Sequence, residues 1–196
     1  MEKRATSRIK KKSEEEDFLV LYSDEASISV FPVLTRTYAP VGETPTITVS
    51  TEINARLYMA SAVSPDGDLL YMIRNQPFDS KAIIEYLKYL KANLQRKLLI
   101  IWDGASIHHS EEIKQWLAKQ KENDFFLVKQ PYYSPELNAD EQVWQQLKNC
   151  RLKNRCNQNV KELQPRIEKA MDDMKKNKTL IQSFFKHPKL GYKLIS

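Results

Sequence analysis

The stretch Gln130–Lys148, QPYYSPELNADEQVWQQLK, decides how the chain is read, together with the upstream segment Ile100–His109, IIWDGASIHH. Pro131 and Pro135 cannot continue a strand or a helix interior, so the chain turns between them. Asn138 is a good N-cap, and helix-favouring residues follow from Ala139. Val143, Leu147 and Cys150 make one apolar face, with Glu141, Trp144, Gln145 and Lys148 on the neighbouring face. Glu141 then points out of the first turn toward a site. The competing reading is a capping box, since Asn138-x-x-Glu141 has the spacing at which the glutamate bonds back to the N-cap amide.

Two apolar runs lie upstream, each ending on an aspartate. Phe18–Ser23 (FLVLYS) runs into Asp24-Glu25, and Lys97–Trp102 (KLLIIW) into Asp103-Gly104. Continuous apolar runs of this length suit strands buried on both faces. Ser27–Pro32 reads as a second strand, forming a hairpin or meander with the first, and Thr35–Ser50 as loop with room for a short extra hairpin. Arg56–Val63 and Asp68–Arg74 flank the turn Pro65-Asp66-Gly67. Asp79 or Ser80 caps a helix with the stripe Ile83, Leu87, Leu90 and Leu94. Ser110 caps another to about Lys121, with Ile113, Trp116 and Leu117 inward. Phe125–Lys129 is a further strand. Lys148–Lys178 reads as helical and basic, with Pro165 starting a new helix, and Phe184–Ser196 as an irregular packing segment.

This order predicts an α/β mixed sheet flanked by helices. The first strand and Lys97–Trp102 lie parallel, an antiparallel meander sits to one side and the last strand to the other. Ligands in such sheets collect where the connection direction changes, and Asp24 and Asp103 sit there. The expected organisation is a charged linker over 1–17, a catalytic domain over 18–155 and a basic helical extension over 156–196 packed on it.

Gathering Asp24, Asp103 and Glu141 in one place requires compensating cations. Mg²⁺ or Mn²⁺ suits an all-oxygen site, and two such ions roughly 4 Å apart support in-line phosphoryl displacement. A net charge of +6 and a pI of about 9.1 suit a polyanionic substrate, DNA or RNA. Lys148, Arg151, Lys153 and Arg155 are candidate phosphate contacts, with a plain solvated helix face as the alternative. His108 and His109 either orient the site, contact DNA or fill structural roles. Glu25 faces away from Asp24 or assists the metal site, Asp140 supports the helix dipole, and Trp144 packs against the loop, as Tyr132 and Tyr133 anchor it. No apolar run reaches the roughly 20 residues needed to span a bilayer, and no secretory signal opens the chain. The 2 cysteines, Cys150 and Cys156, lack histidines at metal-ligand spacing and read as reduced thiols.

The motifs SDEAS (Ser23–Ser27), IIWDGASIHHS (Ile100–Ser110) and PYYSPELNADEQVWQQLK (Pro131–Lys148) resemble the catalytic domain of DDE transposases. Within these, the resemblance is to the bacterial insertion-sequence branch of the mariner-like superfamily, from about Phe18 to the C-terminal tail. It implies an RNase H-like fold, two Mg²⁺ or Mn²⁺ ions and the triad Asp24, Asp103 and Glu141. The implied chemistry is endonucleolytic cleavage at element ends and attack of the freed 3′-hydroxyl on target DNA, in a cytoplasmic, nucleoid-associated homodimer. Ala139 stands where the family has proline. Family members carry helix-turn-helix modules before the first aspartate, and 23 residues precede Asp24 here. The expectation is a truncated or dissected domain whose recognition half is missing or separate. Two other readings stay open: an RNase H-like nuclease without strand transfer, and an idle truncated transposase that inhibits by binding DNA or full-length partners.

Overall fold

The computed structural model describes residues 16–31, 38–43, 46, 54–121, 124–130, 137–153 and 157–186. The N-terminal tail before residue 16, most of Thr35–Ser50, the Pro131–Pro135 turn with Tyr132 and Tyr133, Arg155, Cys156 and the C-terminal end after residue 186 lie outside them.

Five strands form one mixed sheet: β1 (Phe18–Ser29), β2 (Arg56–Val63), β3 (Leu69–Arg74), β4 (Lys97–Trp102) and β5 (Phe125–Lys129). The order is β3-β2-β1-β4-β5. β1, β2 and β3 are an antiparallel meander, and β1-β4 and β4-β5 are parallel. α1 (Ser80–Leu94) connects β3 to β4, and a 3₁₀ turn (Ser106–His109) with α2 (Glu111–Ala118) connects β4 to β5. α3 (Glu141–Gln145) runs directly into a π-helical turn (Gln146–Arg151). α4 (Val160–Lys176) and α5 (Lys178–Phe184) follow.

The alternation of side chains along β1 and β4 divides the core in two. Phe18, Val20, Tyr22, Leu99 and Ile101 pack against Val143, Leu147, Ile167, Met171 and Phe185 on the side of α3, α4 and α5. Leu19, Leu21, Leu98, Ile100 and Trp102 pack against Ile83, Leu87 and Leu90 of α1 and Ile113 of α2 on the other. Asp79 caps α1, its carboxylate accepting from the Ala82 amide at 2.8 Å. Ser110 caps α2, which ends at Ala118 rather than Lys121.

Three expectations need correction. β1 does not break at Asp24-Glu25 and restart at Ser27. It is one 12-residue strand, because β2 pairs with it from Tyr22 through Ser29. Asp24 therefore stands inside a strand. Pro165 does not begin a helix but lies within α4, which Asn159 caps through the Glu162 amide. Pro165 and Lys161, whose carbonyl loses its helical partner to the proline, both lie on the exposed side, where water can serve that carbonyl. Phe184 ends α5 instead of belonging to an irregular tail, and Phe185 stacks edge-on against Tyr22 with centroids 5.7 Å apart.

Candidate active site

The parallel ladder between β1 and β4 ends at Tyr22↔Ile101, whereas β1 stays paired with β2 on its other edge as far as Ser29. A crevice opens beyond Tyr22, at the carboxyl end of β4, where connections leave the sheet in opposite directions. The freed Ser23 carbonyl accepts from Asn138 Nδ2 at 3.4 Å. Asp24 shares the face of Tyr22 and meets α3. Glu25 shares the face of Ser23 and meets the 3₁₀ turn. Asp103 is the first residue past β4.

Asp24 is half-buried, and Trp144 Nε1 donates to its Oδ2 at 3.0 Å. Burial, then the nearby charges of Glu141 and Glu25, push its pKa up to about 7, against the opposing hydrogen bond from Trp144. Glu141 opens α3 and is half-buried beside it. Asn138 does not form the capping box. Its Oδ1 takes the amide of Asp140 at 3.0 Å, a local turn that starts the helix later than Ala139.

Asp103 is exposed, and its Oδ1 accepts from the Ala105 amide at 3.0 Å. The same oxygen lies 3.1 Å from His108 Nε2. Glu25 Oε2 lies 3.3 Å from that nitrogen on another side. The His108 side chain is fully buried and stacks on Trp102 at 4.1 Å between ring centroids. Burial pulls the imidazole pKa down, but Glu25 and Asp103 outweigh it and the net displacement is upward. One ligand atom each from Glu25, Asp103 and His108 lie within 4.8 Å of one another.

Behind these groups lies a buried polar chain. Ser61 Oγ donates to Asp140 Oδ2 at 2.6 Å, and the Ser61 carbonyl accepts from Ser23 Oγ at 2.8 Å. Ser23 Oγ and the Tyr86 hydroxyl are 3.1 Å apart. Burial drives the Asp140 carboxyl well above its ordinary range, partly opposed by Ser61 and reinforced by Asp24, Glu141 and Glu25. This chain ties the start of α3, and hence Glu141, to β1, β2 and α1.

The structure thus groups Asp24 with Glu141, and Asp103 with Glu25 and His108. Glu25 acts on both groups through its charge. Lys148 and Arg151 are half-buried on the π turn and Lys153 is exposed. Arg151 Nε is buried without a hydrogen bond among the described residues. His109 is exposed. Glu25, Trp144 and Asp140 have larger parts than sequence reasoning gave them. Glu25 carried a signal, since an acid next to Asp24 on a strand must face the opposite side. Trp144 carried one too, lying one turn beyond Glu141 on the same helical face. Asp140 carried none, because its partner Ser61 is distant in sequence.

Residues 19–164 match the family model described as "DDE superfamily endonuclease". The chain belongs to this family. The chain is also similar to the insertion element IS630 uncharacterized 39 kDa protein of Shigella sonnei, 32% identical over 131 residues. The alignment covers 65% of this chain and 37% of that protein, so the chain spans under two fifths of its relative's length. Among solved structures, a pre-cleavage Mos1 transpososome superposes with a TM-score of 0.72 at 14% identity, covering 98% of this chain and 60% of the other. The catalytic domain of Mos1 mariner transposase superposes with a TM-score of 0.59 at 11% identity, covering 99% and 92%. These structural likenesses show the RNase H-like fold shared with the Mos1 catalytic domain.

Proposed function

We propose that this DDE domain cleaves DNA strands at transposon ends and joins the freed 3′-hydroxyl to target DNA, with Asp24, Asp103 and Glu141 holding two Mg²⁺ or Mn²⁺ ions. The observation that carries the reading is the gathering of carboxylates where the β1–β4 ladder ends, Asp24 with Glu141 and Asp103 with Glu25 and His108. Like charges held so close are relieved by a divalent cation. The donor set fits a hard ion, being carboxylate oxygen on three elements around an open crevice. Among the structures that resemble this chain, Mos1 mariner paired-end complexes are described with Mn and with Mg.

Bound ions would supply Lewis-acid stabilisation and an activated oxygen nucleophile. The protein's own contribution is positional. Trp144 donates to one oxygen of Asp24 and holds its carboxylate. The Ala105 amide orients Asp103. The Asn138–Asp140–Ser61 connections fix the helix that presents Glu141. Lys148, Arg151, Lys153 and Arg155 are assigned to substrate phosphates. Recognition of element ends is assigned to a helix-turn-helix half, and end pairing to a homodimer.

Nicking of supercoiled plasmid with Mg²⁺ or Mn²⁺ tests this without any end-recognition module. Asp103→Asn is expected to lose activity on the order of 10³-fold or more, as when one member of a catalytic unit is removed. Equal rates in wild type and variant would assign the nicking to a contaminant and sink the proposal. Product analysis then separates the chemistries: joined molecules support strand transfer, and cut ends alone a nuclease.

A further inference from the structure

We infer that Glu25, Asp103 and His108 form a mixed nitrogen–oxygen cation position in the crevice, one that gives the protein a preference for Mn²⁺ over Mg²⁺. The inference rests on the crevice being a metal centre and adds two residues, Glu25 and His108, to the acids assigned above. Asp103 belongs to both sets.

The first support is the state of His108. Its side chain is fully buried and its ring is held by Trp102, yet Nε2 makes no hydrogen bond among the described residues. Two carboxylate oxygens nevertheless lie 3.1 and 3.3 Å from that nitrogen. A charge-assisted N–H···O bond would be aligned and near 2.8 Å. Neither contact has that geometry. Nε2 thus lies within ion-pair range of both carboxylates with no aligned hydrogen bond to either.

The second support is the spacing itself. Ligand atoms at neighbouring corners of an octahedron with bonds of about 2.1 Å are about 3.0 Å apart. The two nitrogen–oxygen separations are compatible with that value, so a small cation could sit between these atoms without moving them far. The three ligands also come from three separate elements: β1, the end of β4 and the 3₁₀ turn. Strand alternation places Glu25 there, on the face opposite Asp24. His108 Nδ1, also without a partner, carries a proton whether the ring is a cation or a metal ligand, so it does not separate the two.

The donor set decides the ion class. An imidazole nitrogen suits transition metals, whereas Mg²⁺ is held mainly by oxygen. Replacing His108 should therefore weaken Mn²⁺ more than Mg²⁺, which a purely structural role would not do.

The test is pulsed EPR of the full chain titrated with Mn²⁺, paired with calorimetric Mn²⁺ and Mg²⁺ affinities. Wild type, Glu25→Gln, His108→Gln and, as a control for the exposed neighbouring histidine, His109→Gln are compared. Wild type and His109→Gln are expected to show nitrogen coupling to the ion. His108→Gln should lose it, with Mn²⁺ affinity reduced at least about tenfold, the scale at which even supporting residues of metal sites act. Glu25→Gln should keep the coupling at reduced affinity, and it decides the matter if His108→Gln does not fold. Mn²⁺ bound to wild type without nitrogen coupling, or a coupling lost in His109→Gln instead, overturns the inference and leaves the carboxylate centre standing. No Mn²⁺ binding by wild type overturns the inference, and plasmid nicking with Mg²⁺ then judges the catalytic reading by itself.

Discussion

Asp24 is held between opposing influences, and Trp144 is the one side chain that lowers its pKa. Trp144→Phe keeps a ring in the core and removes the donor. Asp24 should then bind its proton more tightly, so that at pH 7 a larger share is neutral and unavailable to a cation. The expected result is a several-fold rise in the Mg²⁺ needed for half-maximal nicking at pH 7, narrowing at pH 8.5. An unchanged requirement at both pH values would mean that the indole only packs. The same carboxyl governs stability without metal. Its folded pKa, about 7, exceeds the ordinary 3.8, so between those values the folded chain holds more protons than the unfolded one and stability falls as pH rises. His108, also raised, acts in the same direction: its favourable contribution is lost as pH rises through its folded pKa. Metal-free protein should therefore melt at a lower temperature at pH 8 than at pH 5.5. Asp24→Asn should add about 1–2 kcal/mol at pH 8, roughly half as much at pH 5.5 and little below the unfolded carboxyl pKa, read by denaturant unfolding in chelator.

At the scale of elements, α3 is short and irregular, and its position depends on what anchors its first turn. Asp140 is buried, and Ser61 supplies its side-chain hydrogen bond. Ser61→Ala strands that carboxyl and should destabilise the fold by about 1–3 kcal/mol. A cost under about 0.5 kcal/mol would mean that water or a shift of α3 replaces the serine. Sequence reasoning placed this helix and its acid Glu141 but not its anchor, because hydrogen bonds between residues 61 and 140 leave no local pattern. It misread β1 for a related reason. Asp24-Glu25 in an apolar run looks like a turn, and only the partner strand β2, paired across both acids, keeps the chain extended there. Pro165 misled in the same way: its usual place is a first turn, but Asn159 caps α4 earlier.

On the scale of the whole molecule, the sheet order was legible because apolar runs and turn residues fix it with few alternatives. β1 and β4 are continuous apolar runs covered on both faces, and the Pro65-Asp66-Gly67 turn joins β2 to β3 as an adjacent pair. The split of the crevice into Asp24–Glu141 and Asp103–Glu25–His108 was not legible, since it follows from strand alternation and a 3₁₀ turn that periodicity does not reveal. The distribution of positive charge bears on how DNA would approach this crevice. The chain carries a net +6, and Lys148 and Arg151 lie on the π turn that continues the helix beginning at Glu141. The turn is closed by the Leu152 amide on the Leu147 carbonyl at 2.9 Å, five residues back, and π turns of this kind recur at functional sites. Leu147 is buried, so the basic side chains beside it are carried on an anchored backbone. Phosphate contacts release counterions, and each one adds about 0.9 to the slope of log affinity against log salt for duplex DNA. Replacing Lys148, Arg151 and Lys153 together by glutamine should lower that slope by about 2–3 and weaken binding at low salt without regard to sequence. Fluorescence anisotropy with unrelated duplexes over a salt series measures this. An unchanged slope would leave these residues as a solvated helix face and move the DNA path to another basic surface.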